Sequence, residues 1–227
     1  MLWNEEMSKR YDPDAFHNHP NVFIRWTERC RVRWVHKLLT LNKEDRLLEV
    51  GCGAGNILAE IEEGERHGID ISNYLLEKAK KRLNKEVYLE KADAQNLPFR
   101  NGSFDRIICS EVIEHVINPL LLLSEMARVL RPDGIAVLSI PNETLIMRLR
   151  KTVNILGFSH IFFTHSGDSC HNKVFFQNEW HLHYFDRRTF CSLLHRFFSI
   201  RMVKVVPTYF FPLHWVIQAA PLREKTK

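Results

Sequence analysis

From residue 23 to 39, apolar side chains recur every three or four positions. Phe23, Trp26, Cys30, Trp34 and Leu38 make one stripe, so the pattern predicts a helix. Arg25, Arg29, Arg31 and Arg33 lie between them. A strand–helix alternation follows. Residues 46–50 read as a strand ended by glycines, and 56–61 as a helix. Residues 67–71 read as a second strand, and Ser72 as the N-cap of a helix to residue 83. Strands are predicted at 87–92 and 104–109, with a helical turn starting at Glu111. Pro119 opens a helix to residue 130, which a proline in the first turn permits. Residues 131–134 read as a turn before a fifth strand at 135–140. Asp186 caps a last helix, and apolar runs at 198–206 and 209–219 flank a Pro207-Thr208 turn. So short a connection makes that pair antiparallel. The fold class expected is α/β, with a seven-stranded mixed sheet, an antiparallel last strand and helices on both faces.

The whole chain, residues 1–227, reads as one domain. Residues 1–40 form a helical cap. Residues 142–180, too long for an ordinary loop, form a lid or substrate insertion. Its first part mixes Leu145, Ile146, Leu149, Val153 and Leu156 with Arg148, Arg150 and Lys151, a basic amphipathic helix. Such a helix suits either a plain cap or docking on an anionic membrane surface.

Composition changes this picture little. Apolar residues at 45% and charged residues at 26% are ordinary for a globular chain. The net charge of +5 permits an anionic partner without demanding nucleic acid. Five separated cysteines with no CxxC pair favour buried thiols in a reducing compartment, and the start has no signal-peptide pattern. The expected location is cytoplasmic. Histidine is the exception, with 12 in all and five between His160 and His183.

The strongest motif is the run from Leu47 to Asn56, LLEVGCGAGN. Glycines after a first strand let the backbone turn sharply and approach a ligand. Asn56 stands where a dinucleotide-binding GxGxxG would want a small residue, so the pattern is GxGxG. Asp70 and Asp93 end the second and third strands, where carboxylates suit ribose hydroxyls and an adenine amino group. Glu49 is placed to face a cationic amine. Together with GIDIS at 68–72, ADAQNLPF at 92–99, FDRIICSEVIEHV at 104–116 and LRPDGIAVLSIPN at 130–142, this set resembles the class I S-adenosylmethionine-dependent methyltransferases. The resemblance runs from about residue 40 to 219 and implies their Rossmann-like sheet. It implies that Gly51, Gly53 and Gly55 wrap the methionine part of S-adenosylmethionine and that Asp70, followed by Ile71, holds the ribose. Asp93 and Ala94 would frame the adenine, and Ser110 would lie beside the sulfonium. Tyr11 and Arg25 would reach the cofactor carboxylate. The product would be S-adenosylhomocysteine.

Methyl transfer needs alignment and, for a hydroxyl acceptor, removal of a proton. Glu111, Glu114 and His115 follow the fourth strand, where those groups belong. Spaced three apart, the two glutamates would share a helix face. Three readings stay open. They are structural residues, or His115 is a general base, or Glu111, Glu114 and His115 hold a divalent metal with His181 from the insertion. The EVIEH string resembles both the ubiquinone-biosynthesis O-methyltransferases and the small-RNA 3′-terminal 2′-O-methyltransferases. His181 and His183 would point the same way on an extended segment. Scattered basic residues and the apolar insertion (Phe158, Ile161, Phe162, Phe163, Phe175, Phe176) favour a small or lipid-like aromatic acceptor over nucleic acid. A quinone-precursor C-methyltransferase is the remaining alternative. Oligomeric state is not legible.

Overall fold

The structure is a computed structural model that describes residues 2–10, 12, 14–155 and 181–222. Chain order runs α1 (Leu2–Arg10), α2 (Asp14–His17), α3 (Val22–Leu39), β1 (Arg46–Val50), β2 (Glu65–Asp70), α4 (Asn73–Arg82) and β3 (Val87–Lys91). It continues through β4 (Phe104–Ser110), α5 (Pro119–Val129), β5 (Leu130–Pro141), α6 (Glu143–Ile155), α7 (Arg187–Leu194), β6 (Phe198–Thr208) and β7 (Phe211–Pro221). The strands form one sheet in the order β3-β2-β1-β4-β5-β7-β6. β1 to β5 pair in parallel, whereas β7 runs antiparallel between β5 and β6. This is the seven-stranded mixed sheet that the alternation implied.

Both faces of the sheet are covered, and neighbouring residues divide between them because strand side chains alternate. Leu48, Ile107, Leu138 and Ile217 join the core that contains α5 and α7. Their neighbours Leu47, Ile108, Val137 and Val216 join the core under α3. Helix ends follow local chemistry. Asn21, Ser72, Asn118 and Asp186 each accept backbone N–H groups of the turn they start.

Four local expectations change. Residues 56–61 make turns and a single 3-10 turn at Leu58–Glu60 rather than an α-helix. Residues 111–116 are turns, because Glu111 adopts φ +56, a left-handed conformation that an α-helix does not contain. The 131–134 turn lies inside the span of β5, where pairing jumps from Phe104↔Leu130 to Arg106↔Ile135. The hairpin turns at Tyr209 and Phe210, not at Pro207 and Thr208, since Pro207 pairs with Pro212 and Thr208 with Phe211. Of the expected insertion, α6 is observed. Residues 156–180, with their phenylalanines, lie outside the described residues.

Phe190 of α7 is wholly buried in the core with Phe104 and Phe198. Phe190→Ala is expected to cost about 3–5 kcal/mol, because a collapsed core cannot refill so large a void. The urea midpoint of unfolding measures it.

Candidate active site

The carboxyl ends of β1, β2, β4 and β5 carry the polar residues singled out in the sequence. After Val50 the chain turns back on itself. Cys52 N–H donates to Ile69 O at 2.8 Å, and Gly55 N–H to Cys52 O at 2.8 Å. Gly51 needs to be glycine twice over. Its φ is +72, and a Cβ would lie 2.4 Å from Val112 Cγ2. Gly55, at φ +75, would meet Leu83 at 2.7 Å. Gly53, at φ +53, donates its N–H to Asp70 Oδ2 at 2.9 Å.

Asp70 thereby latches the glycine turn to the end of β2. Its Oδ1 accepts from Ser72 N–H at 2.8 Å, and half-buried Ile71 sits between. Burial raises the Asp70 pKa, against the pull of these backbone donors. Asp93 is exposed after β3 and accepts from Gln95 N–H at 2.9 Å, while Ala94 packs on the core beneath. Glu49 is only 2% exposed, and its Oε2 has no hydrogen-bond partner. Burial pushes its carboxyl up to about 8, with Arg31 pulling the other way. A buried carboxylate oxygen without a donor is costly, and a cationic amine beside the glycine turn would satisfy it. The residues present therefore fit S-adenosylmethionine at this turn.

Sequence reasoning missed Arg31. It leaves the buried face of α3 and donates to Ser110 Oγ and, at 3.4 Å, to Ser139 Oγ. It also pairs with Glu28. Ser110 and Ser139 hydroxyls lie 2.8 Å apart, and Ser139 Oγ donates to Glu111 Oε1 at 2.8 Å. Glu111 Oε2 is 3.4 Å from His214 Nδ1 on β7. Burial alone would raise the Glu111 pKa, but His214, Arg31 and the Ser139 hydroxyl hold it low. Arg25, by contrast, donates to His19 O at 2.6 Å at the start of α3. Tyr11 lies outside the described residues. Nothing in the local pattern separated Arg31 from its neighbouring arginines. Only its place on the apolar face of α3 hinted at burial.

A second group forms where the 181–183 segment crosses the 111–116 turn. Leu182 N–H and His183 N–H both donate to Glu114 O, at 2.8 and 3.2 Å. This brings the His181 ring to 4.7 Å from the His115 ring. Ligand atoms of Glu114, His115 and His181 all lie within 4.8 Å of one another. Glu114 is 2% exposed, and neither carboxylate oxygen has a partner. Burial, then the nearby charge of Glu111, raises its pKa well above the usual carboxylate range. Glu143, which opens α6, puts Oε1 2.8 Å from His181 Nδ1, without the alignment of a hydrogen bond. The donor set of one carboxylate and two imidazoles, partnerless oxygens included, suits a divalent cation. Glu111, expected beside them, is not in this group. Its left-handed backbone turns it to Ser139 and His214 instead. His183 does not share the direction of His181. Its Nε2 lies 3.0 Å from Val116 O.

Residues 48–138 match a family model described as a methyltransferase domain. This segment is similar to methyltransferase domains. The chain is 33% identical over 145 residues to an uncharacterised methyltransferase of Schizosaccharomyces pombe, covering 56% of this chain and 52% of that one. It is 32% identical over 124 residues to the ubiquinone biosynthesis O-methyltransferase of Dechloromonas aromatica, covering 50% and 51%. The chain thus spans about half the length of these curated relatives. A solved protein of Pyrococcus horikoshii superposes with TM-score 0.66 at 19% identity, covering 96% of this chain and 99% of that one, so the shared fold extends well beyond the matched segment.

The raised Glu49 carboxyl has a consequence for stability. Its folded pKa of about 8 exceeds the ordinary 4.5. Stability that it contributes below that ordinary value is lost as pH rises toward the folded one. Without ligand, the wild type should lose more stability than Glu49→Gln between about pH 4.5 and 8. Urea midpoints across that range test this, and parallel profiles would contradict it.

Proposed function

We propose that the chain binds S-adenosylmethionine at the glycine turn and methylates an oxygen of a small or lipid-like aromatic acceptor. The observation that carries this reading is the buried, partnerless Glu49 oxygen beside a turn whose glycines adopt positive φ, with Gly51 and Gly55 tightly packed. When bound, S-adenosylmethionine supplies an electrophilic methyl on a positively charged sulfur. Glu49 receives the cofactor amine, Asp70 and Ile71 the ribose, and Asp93 with Ala94 the adenine. Ser110, at the tip of β4, stands beside the reacting centre. The likeness to an enzyme named for ubiquinone biosynthesis supports an aromatic hydroxyl as acceptor. The cysteines suit a reducing cytoplasm; among the described residues, no helix is long and apolar enough to cross a membrane.

At the same edge, Glu114, His115 and His181 would hold a divalent ion, with Glu143 beside His181. Such an ion lowers the pKa of a coordinated hydroxyl and orients it. Without the ion, His115 would take the acceptor proton.

Calorimetry with S-adenosylhomocysteine tests cofactor binding. Saturable binding is expected, weakened roughly tenfold or more in Asp70→Ala, which loses both ribose acceptors and the Gly53 latch. No binding by the intact protein would overturn the assignment.

Transfer of labelled methyl to a prenylated catechol tests the acceptor and the metal together. EDTA should abolish turnover, and Glu114→Gln should lose binding of Mn²⁺ in a direct titration while keeping S-adenosylhomocysteine affinity. Full turnover in chelator would exclude the ion and leave His115 as the base.

A further inference from the structure

Three elements meet at the carboxyl edge of the sheet, beside the candidate active site. β6 runs parallel to β5, so the β6–β7 turn lies at that edge. Its Tyr209 and Phe210 are 81% and 94% exposed. The start of α3 abuts this turn, with the Phe23 and Phe211 ring centroids 5.8 Å apart. Asn142, just before α6, binds the hairpin from the other side. Its N–H donates to Leu213 O and its side chain to Pro212 O, both at 2.7 Å. Val22, Phe23 and Trp26 of α3 are exposed on the same side as the tip.

Behind these apolar side chains lies a basic belt. Helical spacing puts Val22, Trp26, Arg29, Arg33 and Lys37 on one face of α3, and all are exposed. Neither Arg29 nor Arg33 has an ion-pair partner among the described residues. Trp34 holds Lys37 and Lys204 of β6, each 4.9 Å from its ring centroid. Carboxylates are scarce in the two elements that form it. Glu28 is the one carboxylate in α3 and is taken up by Arg31, while residues 198–222 contain no Asp or Glu.

An aromatic tip ahead of a belt of cations is the arrangement that an anionic bilayer satisfies. Tyr, Trp and Phe seat at the headgroup level, and Lys and Arg meet lipid phosphates. A nucleic acid would call for the cations foremost and the aromatics among them. Here the most exposed of the large apolar residues is Phe210, at the tip. We propose that the β6–β7 tip and the exposed face of α3 dock this protein on an anionic membrane surface, with the candidate active site turned toward the lipid. The inference goes beyond the methyltransferase reading, and vesicle binding is measured without turnover, so either can fail alone.

Sedimentation with phosphatidylcholine vesicles, with and without phosphatidylglycerol, tests it on the full chain. Binding is expected only with phosphatidylglycerol. Tyr209→Ser with Phe210→Ser, and separately Arg29→Glu with Arg33→Glu, should each weaken partitioning roughly tenfold or more. These surface variants should keep the wild-type melting temperature and S-adenosylhomocysteine affinity. Several outcomes would overturn the proposal. They are wild-type partitioning by both variants, binding to a single-stranded oligoribonucleotide but to no vesicle, and a vesicle-independent dimer that Tyr209→Ser with Phe210→Ser dissolves.

Discussion

Glu49, Glu111 and Glu114 are all held at the carboxyl edge of one sheet, the first and last buried and Glu111 half-buried. Burying a carboxylate is costly unless cations or donors replace the lost solvent. Arg31 is the buried cation that answers this. It reaches from α3 to the tips of β4 and β5, bonds Ser110 and Ser139, and stands near Glu49 and Glu111. Burial opposes its charge, but Glu28 and Glu111 hold its pKa raised. Its compensation is uneven. Glu111, with His214, Ser139 and Arg31 around it, stays ionised. Glu49 and Glu114 keep oxygens without partners. Among the described residues, these are the carboxylates that the fold leaves with unsatisfied buried oxygens.

The N-terminal segment is tied over the same edge by charge. Glu5 of α1 accepts from Asn73 N–H at 3.0 Å and Tyr74 N–H at 2.9 Å, so it meets the positive end of the α4 dipole. Asp14 pairs with Arg82 at 2.8 Å, and Asp12 with Lys78. These contacts carry the cap across the end of β2, close to Asp70 and the glycine turn. They are partly exposed pairs, so they orient the cap more than they stabilise it. Cys52 and Cys109 are free and buried, which raises their thiol pKa and keeps them inert.

The fold was legible because its signals are local and repeated. Most strands of the parallel half contain a short apolar run, and α3, α4, α5 and α7 each start at a cap residue, so their order specifies the sheet. The cofactor side of the candidate site was legible for the same reason, since GxGxG, Asp70 and Asp93 each follow a strand. The Glu114–His115–His181 cluster was half legible. EVIEH placed Glu114 and His115 at the edge, but helical spacing wrongly joined Glu111 to them. One left-handed residue separates the two glutamates, and no pattern of three and four residues contains that information.

What the sequence by itself determined is the α/β architecture, the glycine turn and the identity of the residues at the strand ends. Those depend on chain neighbours within a few positions. Only the tertiary structure decided which arginine of a basic helix is buried, that His214 faces Glu111, and that Glu143 lies beside His181. It also brought the hairpin tip, α3 and the start of α6 to one face. Each of these joins side chains far apart in the chain, and their distance is set by sheet order and helix packing rather than by periodicity.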